Sequence, residues 1–428
     1  MTSRSTESDT LGKLGNTEPG HGTPTGGATD QDQWGERYDH TIMNTFGHPK
    51  RVLVRGEGAV VWDADGRQYT DFLAGIAVNA LGHANPEVNR AVAQQMNTLG
   101  HISNIFASPT QVRLGEELVA LASRQADPAT PAKVFFANSG TEANEAAFKA
   151  TRMTGRTKIV AMIGSFHGRS MGSLAITYNE HYRKPFEPLP GEIIWTPYGD
   201  IDALERVVDD SVAAVVTEPI QGENGVIEPS DDFLPAIRRI TREHDALMWV
   251  DEVQTGMGRC GEWFAHQRLD VVPDLITVAK GLGNGFPMGA CIALGPAAGL
   301  FGPGQHGTTF GGNPVACAAG LAVINYIKSH DLLDHVVQMG DRLKAGVMAL
   351  NDPRITTVRG RGLLRGIVLS TPSAAQTVEA ALESGWIINA PRPSVLRIAP
   401  PLIVTAAQID DFVQILPELL DAAENGQK

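Results

Sequence analysis

Five short apolar runs constrain this chain more than any other feature. They are Val134-Phe-Phe-Ala137, Ile159-Val-Ala-Met162, Ala213-Ala-Val-Val216, Leu247-Met-Trp-Val250 and Leu275-Ile-Thr-Val-Ala279. Helical patterns alternate with them from about residue 85 to about 330. A short, unbroken apolar run between helices reads as a strand covered on both faces, and such strands assemble into a largely parallel sheet. The expected fold class is therefore α/β. Several runs close on polar residues: Asn138, Thr217-Glu218, Asp251-Glu252 and Lys280. In open α/β sheets ligands bind beyond the carboxyl ends of the strands, so these positions are where chemistry is expected.

The remaining chain organises around that block. Residues 1–33 hold only Met1, Leu11, Leu14 and Ala28 as apolar residues, too few to offset the entropy of ordering, and read as a disordered tail. Residues 34–84 carry short strand patterns at Arg51-Val-Leu-Val54, Ala59-Val-Val-Trp62 and Gln68-Tyr-Thr-Asp-Phe-Leu73, and are assigned to a small domain. Residues 85–328 form the expected large domain. Residues 329–428 complete a smaller α+β domain, with strand patterns at Gly366-Ile-Val-Leu369 and Val395-Leu-Arg-Ile398 before Pro400-Pro401 and a last helix. A net charge of −13 repels phosphate backbones and anionic lipid, which argues against nucleic acid and membrane partners. No apolar run is long enough to span a bilayer, and no basic-then-apolar leader opens the chain. Cys260, Cys291 and Cys317 are odd in number and widely spaced; they read as small buried residues in a reducing cytoplasm, with no metal site.

Lys280 follows a buried run and precedes Gly281-Leu-Gly-Asn-Gly285. A random lysine is a solvated surface group. A lysine at a buried strand end loses water, which lowers its pKa and frees a nucleophilic amine. Asp251 ends another run, and a carboxylate there suits a ring nitrogen that must stay protonated, although a helix-capping aspartate would look the same. Gln254 follows it, with an amide for a ring oxygen or for positioning Glu218. Ser139-Gly-Thr-Glu142 opens a helix with capping-box spacing, so Gly140 and Thr141 sit where free N–H groups attract phosphate; a plain capped helix is the simpler reading locally. In Ser165-Phe-His-Gly-Arg169, Phe166 could stack on an aromatic ring and Arg169 could fork onto a carboxylate, against the ordinary readings of core Phe and surface Arg. His167 reads as a structural histidine. His306-Gly-Thr-Thr-Phe-Gly-Gly-Asn313 offers hydroxyls at Thr308 and Thr309. The glycine fingerprint of dinucleotide binders is absent, which counts against a nucleotide-dependent oxidoreductase.

In unbroken order these motifs resemble the class III pyridoxal-phosphate aminotransferases, most closely the acetylornithine aminotransferases of arginine biosynthesis. The likeness runs from about residue 36 to 425 and includes Phe72-Leu-Ala-Gly-Ile-Ala-Val-Asn79, Phe135-Phe-Ala-Asn-Ser-Gly-Thr-Glu-Ala-Asn-Glu145, Glu218-Pro-Ile-Gln-Gly-Glu223, Asp251-Glu-Val-Gln-Thr-Gly256 and Arg397-Ile-Ala-Pro-Pro-Leu402. The resemblance implies a fold-type I homodimer with active sites at its interface. It implies pyridoxal 5′-phosphate as a Schiff base on Lys280, with Asp251 on the pyridine nitrogen. Ser139, Gly140, Thr141, Phe166, Glu218, Gln254 and Thr309 would complete the cofactor site, Thr309 reaching across from the neighbouring subunit. Arg169, Glu223, Thr308 and Arg397 would bind substrate, with Glu223 pairing with Arg397 and letting go when 2-oxoglutarate arrives. The implied donor is N2-acetylornithine. Departures stand at Phe46, where relatives often carry Tyr, and at Ser170 and Cys260, which replace common threonines. Other ω-amine donors (ornithine, succinylornithine, succinyldiaminopimelate, 4-aminobutyrate), a mutase or decarboxylase on the same fold, and a non-enzymatic oligomeric paralogue are the competing readings.

Overall fold

The computed structural model describes residues 29–425. They divide into two units, residues 29–54 with 63–66, and residues 55–62 with 67–425. The tail expected over 1–33 lies, for 1–28, outside the described residues. Residues 30–33 instead open the helix Asp30–Thr41. The Thr29 hydroxyl accepts from the Asp32 amide, and the Asp32 carboxylate accepts from the Thr29 amide. This capping box satisfies two amides, an effect that composition does not reveal. Within the same unit the Gln31 amide donates to Asp65 Oδ1 at 3.2 Å, and Gln31 Oε1 accepts the Val52 amide at 2.6 Å.

In the larger unit the apolar runs form a seven-stranded sheet. Its strands are β1 (Ala132–Ala137), β2 (Lys158–Met162), β3 (Glu192–Thr196), β4 (Val212–Thr217), β5 (Leu247–Asp251), β6 (Leu275–Val278) and β7 (Gly289–Leu294). They lie in the order β1-β7-β6-β5-β4-β2-β3. All pairings from β6 to β3 are parallel, and β7 is antiparallel to both neighbours. The mostly parallel α/β sheet is thus as expected. Strands β3 and β7 were not foreseen: β3 is half-exposed, and β7, although apolar, consists mostly of small residues.

Both faces of the sheet are covered, with the two-residue period of a strand. Ile159 and Ala161 point to one side, where Ala146, Ala147 and Ala150 of helix α1 (Gly140–Arg152) pack with Trp249. Val160 and Met162 point to the other, against Phe233, Ile237 and Ile240 of helix α2 (Phe233–Glu243). Each large apolar side chain buried there contributes roughly 1.5–3 kcal/mol.

A second, antiparallel sheet carries β8 (Ile355–Arg361), β9 (Leu364–Leu369), β10 (Asn389–Arg392) and β11 (Val395–Ile398) in the order β8-β9-β11-β10. The last helix, Ala406–Asn425, buries Phe412, Leu416 and Leu420 in one core with Leu396, Ile398 and Phe72. Between Phe72 and Val78 the backbone turns left-handed, with φ of 50°, 65°, 64° and 60° from Ala74 to Ala77. Such a conformation costs about 1–2 kcal/mol per non-glycine residue. Asp71 offsets it. Its Oδ1 accepts the Leu73 and Ala74 amides at 3.0 and 2.8 Å, and its Oδ2 meets His83 Nε2 at 2.8 Å. The Ala399 amide then donates to the Phe72 carbonyl at 2.8 Å, which fixes the end of β11 and with it Arg397. All three cysteines are free and buried. Among the described residues no helix is long and apolar enough to cross a membrane.

Candidate active site

Three neighbouring strand ends build a floor. Beyond β6, Lys280 takes a left-handed φ of 45°, a strain of the sort that concentrates at functional positions. Its side chain is half-buried, and desolvation brings its pKa down from 10.5 to about 8; Glu223 opposes the shift and Arg397 assists it. The amine is therefore largely neutral, and nucleophilic, above that pH.

Asp251 ends β5 with 4% of its surface exposed. Its Oδ2 accepts from His167 Nδ1 at 2.7 Å and Asn144 Nδ2 at 2.8 Å, and its Oδ1 from the Val253 amide at 2.9 Å. An ionised carboxylate only accepts, so Nδ1 of His167 carries the hydrogen. Nε2 of His167 is buried without a partner among the described residues. Glu218 follows β4. Burial, then the charge of Asp251, hold its carboxyl well above the ordinary range, and the Phe166 amide donates to it at 3.2 Å.

Arg397, on β11, is 1% exposed. Its Nη1 donates to Glu223 Oε1 at 2.5 Å and to Gln254 Oε1 at 3.2 Å, and its Nε donates to Asn389 Oδ1 at 3.1 Å. Its Nη2 is buried and unpartnered among the described residues. Burial alone would raise the Glu223 carboxyl, but Arg397 and Lys280 outweigh it and keep that group below its usual value. Gln254 thus serves Glu223 and Arg397 rather than Glu218.

The start of α1 abuts this floor. A Cβ on Gly140 would lie 2.8 Å from Val253 Cγ1 and 3.5 Å from Ala279 Cβ, so only glycine lets the helix come this close to the ends of β5 and β6. Ser139 caps the helix, its Oγ accepting the Glu142 amide at 3.2 Å. The expected capping box does not close: Glu142 Oε2 turns to the Asn138 amide and side chain, at 2.9 and 2.7 Å. Ser170 Oγ donates to Glu145 at 2.6 Å, so the 2.6 Å contact between Thr141 Oγ1 and Ser170 Oγ uses the hydrogen of Thr141. That hydroxyl is engaged within the chain. The backbone N–H groups of Gly140 and Thr141 remain as the anion donors of this helix end.

A rim of exposed and half-buried groups completes the arrangement. Arg169 lies over the Tyr182 ring, 3.6 Å from its centroid, and 5.7 Å from that of Phe166. Thr308 Oγ1 accepts from Asn138 Nδ2 and the Gly311 amide, both at 3.2 Å. Thr309 is exposed, and its hydroxyl has no partner among the described residues. The sequence reading missed His167 and Asn144 on Asp251, Asn389 on Arg397, and Tyr182 beside Arg169. Asn144 had a legible signal, a polar residue among the buried alanines of α1.

Residues 42–420 match the family model for class-III aminotransferases. The chain is a class-III aminotransferase. Its cofactor is pyridoxal phosphate, and the donor set suits that group: a desolvated amine, a buried carboxylate on a strand end, an aromatic ring and an open helix N-terminus. The aminotransferase is 53% identical over 387 residues to the acetylornithine aminotransferase of Mycolicibacterium smegmatis, covering 90% of this chain and 98% of that one. It is 52% identical to its namesake in Mycobacterium tuberculosis, over 93% and 99% of the two chains. Among solved structures, N-acetylornithine aminotransferase of Stenotrophomonas maltophilia matches with a TM-score of 0.77 at 36% identity, over 90% and 99%. Ornithine aminotransferase of Toxoplasma gondii matches with a TM-score of 0.87 at 28% identity, over 93% and 97%.

Proposed function

We propose that this aminotransferase moves the δ-amino group of N2-acetyl-L-ornithine to 2-oxoglutarate, giving N-acetyl-L-glutamate 5-semialdehyde and L-glutamate in arginine biosynthesis. The observation that carries the reading is the 2.5 Å pair between Glu223 and the buried Arg397, within electrostatic reach of Lys280. Acetylornithine brings an amine with no carboxylate beside it, whereas glutamate brings one. A bare buried guanidinium would be costly in the first case, so Glu223 covers it; in the second, Glu223 gives way to the substrate carboxylate. The names of the curated relatives support the same donor.

When bound, pyridoxal phosphate supplies an electron sink and stores the amino group between half-reactions. Around it we assign roles residue by residue. Lys280 offers the amine that holds the cofactor and later carries the proton at Nζ. Asp251, steadied by His167 and Asn144, would pair with the ring nitrogen and keep it protonated. Gly140 and Thr141 receive the phosphate on their amides, with Ser139 shaping the turn and Thr309 supplied by the partner in a homodimer. Phe166 would stack on the ring, and Glu218 and Gln254 would complete the cofactor site. Arg169 takes the α-carboxylate of acetylornithine, with Thr308 beside it. Residues 85–328 serve as the cofactor domain, and 34–84 with 329–428 as the small domain. A cytoplasmic location fits the three free thiols.

A steady-state panel of ω-amines with 2-oxoglutarate tests the assignment. The highest kcat/KM is expected for N2-acetyl-L-ornithine. A higher value for ornithine, succinylornithine, succinyldiaminopimelate or 4-aminobutyrate replaces the donor; carbon dioxide release, or turnover without a keto acid, replaces the reaction.

A further inference from the structure

We propose that Tyr182 is a positioning residue for Arg169, and through it sets the preference for amines that carry a distant carboxylate; this rests on the role of Arg169 given above. Arg169 lacks what usually orients an exposed guanidinium, since no carboxylate pairs with it among the described residues. Its backbone is nevertheless fixed. Gly168 has φ 138°, and a Cβ there would fall 2.3 Å from Thr141 Oγ1. On the other side the Ser170 amide donates to that same Thr141 Oγ1 at 3.2 Å. Both neighbours are clasped to the start of α1, so the Arg169 stem leaves the chain at a set point.

The head group is set by aromatics. Tyr182 presents its ring 3.6 Å from the Arg169 guanidinium carbon and meets Phe166 edge-on, with centroids 6.2 Å apart. A guanidinium over a ring face keeps the N–H groups of its edge free to fork onto a carboxylate. Tyr182 itself is held in a short helical turn, Glu180–Arg183, where Asn179 Oδ1 accepts the His181 amide and Asn179 O the Tyr182 amide, both at 3.0 Å. Lys184 closes the turn on Glu180 at 2.7 Å. The chain from Phe166 through Tyr182 to Arg169 therefore joins the residue assigned to the cofactor ring with the residue assigned to the far end of the donor.

The test compares N2-acetyl-L-ornithine with N-acetyl-1,4-diaminobutane, the same amine without its carboxylate. Tyr182→Leu removes the ring face and Tyr182→Phe keeps it. Tyr182→Leu is expected to raise KM for acetylornithine by about tenfold with kcat nearly unchanged, the order of a cation–π contact, and to leave the carboxylate-free amine as it was. Tyr182→Phe should match the parent. Binding of N-acetyl-L-norvaline, which has the carboxylate but no amine, should weaken in step with KM. An unchanged ratio of the two KM values in Tyr182→Leu, or an equal loss for both amines, overturns the proposal. Arg169→Gln separates the two layers. If it leaves the ratio unchanged, the carboxylate role of Arg169 fails and the Tyr182 inference falls with it; if it raises the ratio and Tyr182→Leu does not, only the latter falls.

Discussion

The floor of the site and its rim are built on opposite terms. On the floor, Asp251 and Arg397 are almost wholly buried, and each is held by three hydrogen-bonding side chains or amides from separate parts of the chain. On the rim, Arg169 and Thr309 are exposed, and neither has an ion-pair or hydrogen-bond partner among the described residues. Burial makes the floor groups reactive, because a charge or amine without water depends on its neighbours. Exposure leaves the rim groups free for partners outside this chain, as the roles proposed above for Arg169 and Thr309 require. Chemistry is thus fixed by strand ends, and selectivity is laid over it by loops.

Removing a floor group should break that division most sharply. Lys280→Ala is expected to lower kcat on the order of 10⁴-fold or more, since both the nucleophile and the proton carrier are lost. Arg397→Ala should raise KM for 2-oxoglutarate by roughly 10- to 100-fold, the cost of a charged hydrogen-bonding partner, while KM for acetylornithine stays within a few-fold. A pH series sharpens the account of Lys280. With its pKa brought to about 8, the ammonium predominates below that pH and the free amine above it. Capture of added pyridoxal phosphate by the apoenzyme, followed by absorbance, should therefore quicken about tenfold per pH unit up to about 8 and then level off. A flat profile would remove the free amine from that step. Thr309→Val, on the rim, should loosen cofactor retention by only about 2- to 10-fold in dialysis, one hydrogen bond's worth.

The same division governs what the sequence disclosed. Strand ends are legible because a buried strand must be apolar and its first polar residue stands out, as at Asp251 and Lys280. Strand β7 escaped because Gly289-Ala-Cys-Ile-Ala-Leu294 is small rather than bulky. The left-handed backbone at Ala74, Ile76, Ala77 and Lys280 carries no residue signature, since none of these residue types favours a positive φ. His167 read as structural because its partner Asp251 lies 84 positions away, beyond any local pattern. Of the two readings of Gln254, a ring oxygen or Glu218, the second is not what the structure shows: its amide meets Glu223 and Arg397 instead, a choice that no local pattern discloses.

The central claim is that one floor serves two kinds of amine because Glu223 screens Arg397. It is tested most directly by the two half-reactions of Glu223→Ala against the parent, each followed in single turnover by the cofactor absorbance. The account predicts that the rate with glutamate, relative to that with N2-acetylornithine, rises by about tenfold or more, as an unscreened guanidinium draws the α-carboxylate. An unchanged ratio of the two rates would contradict it.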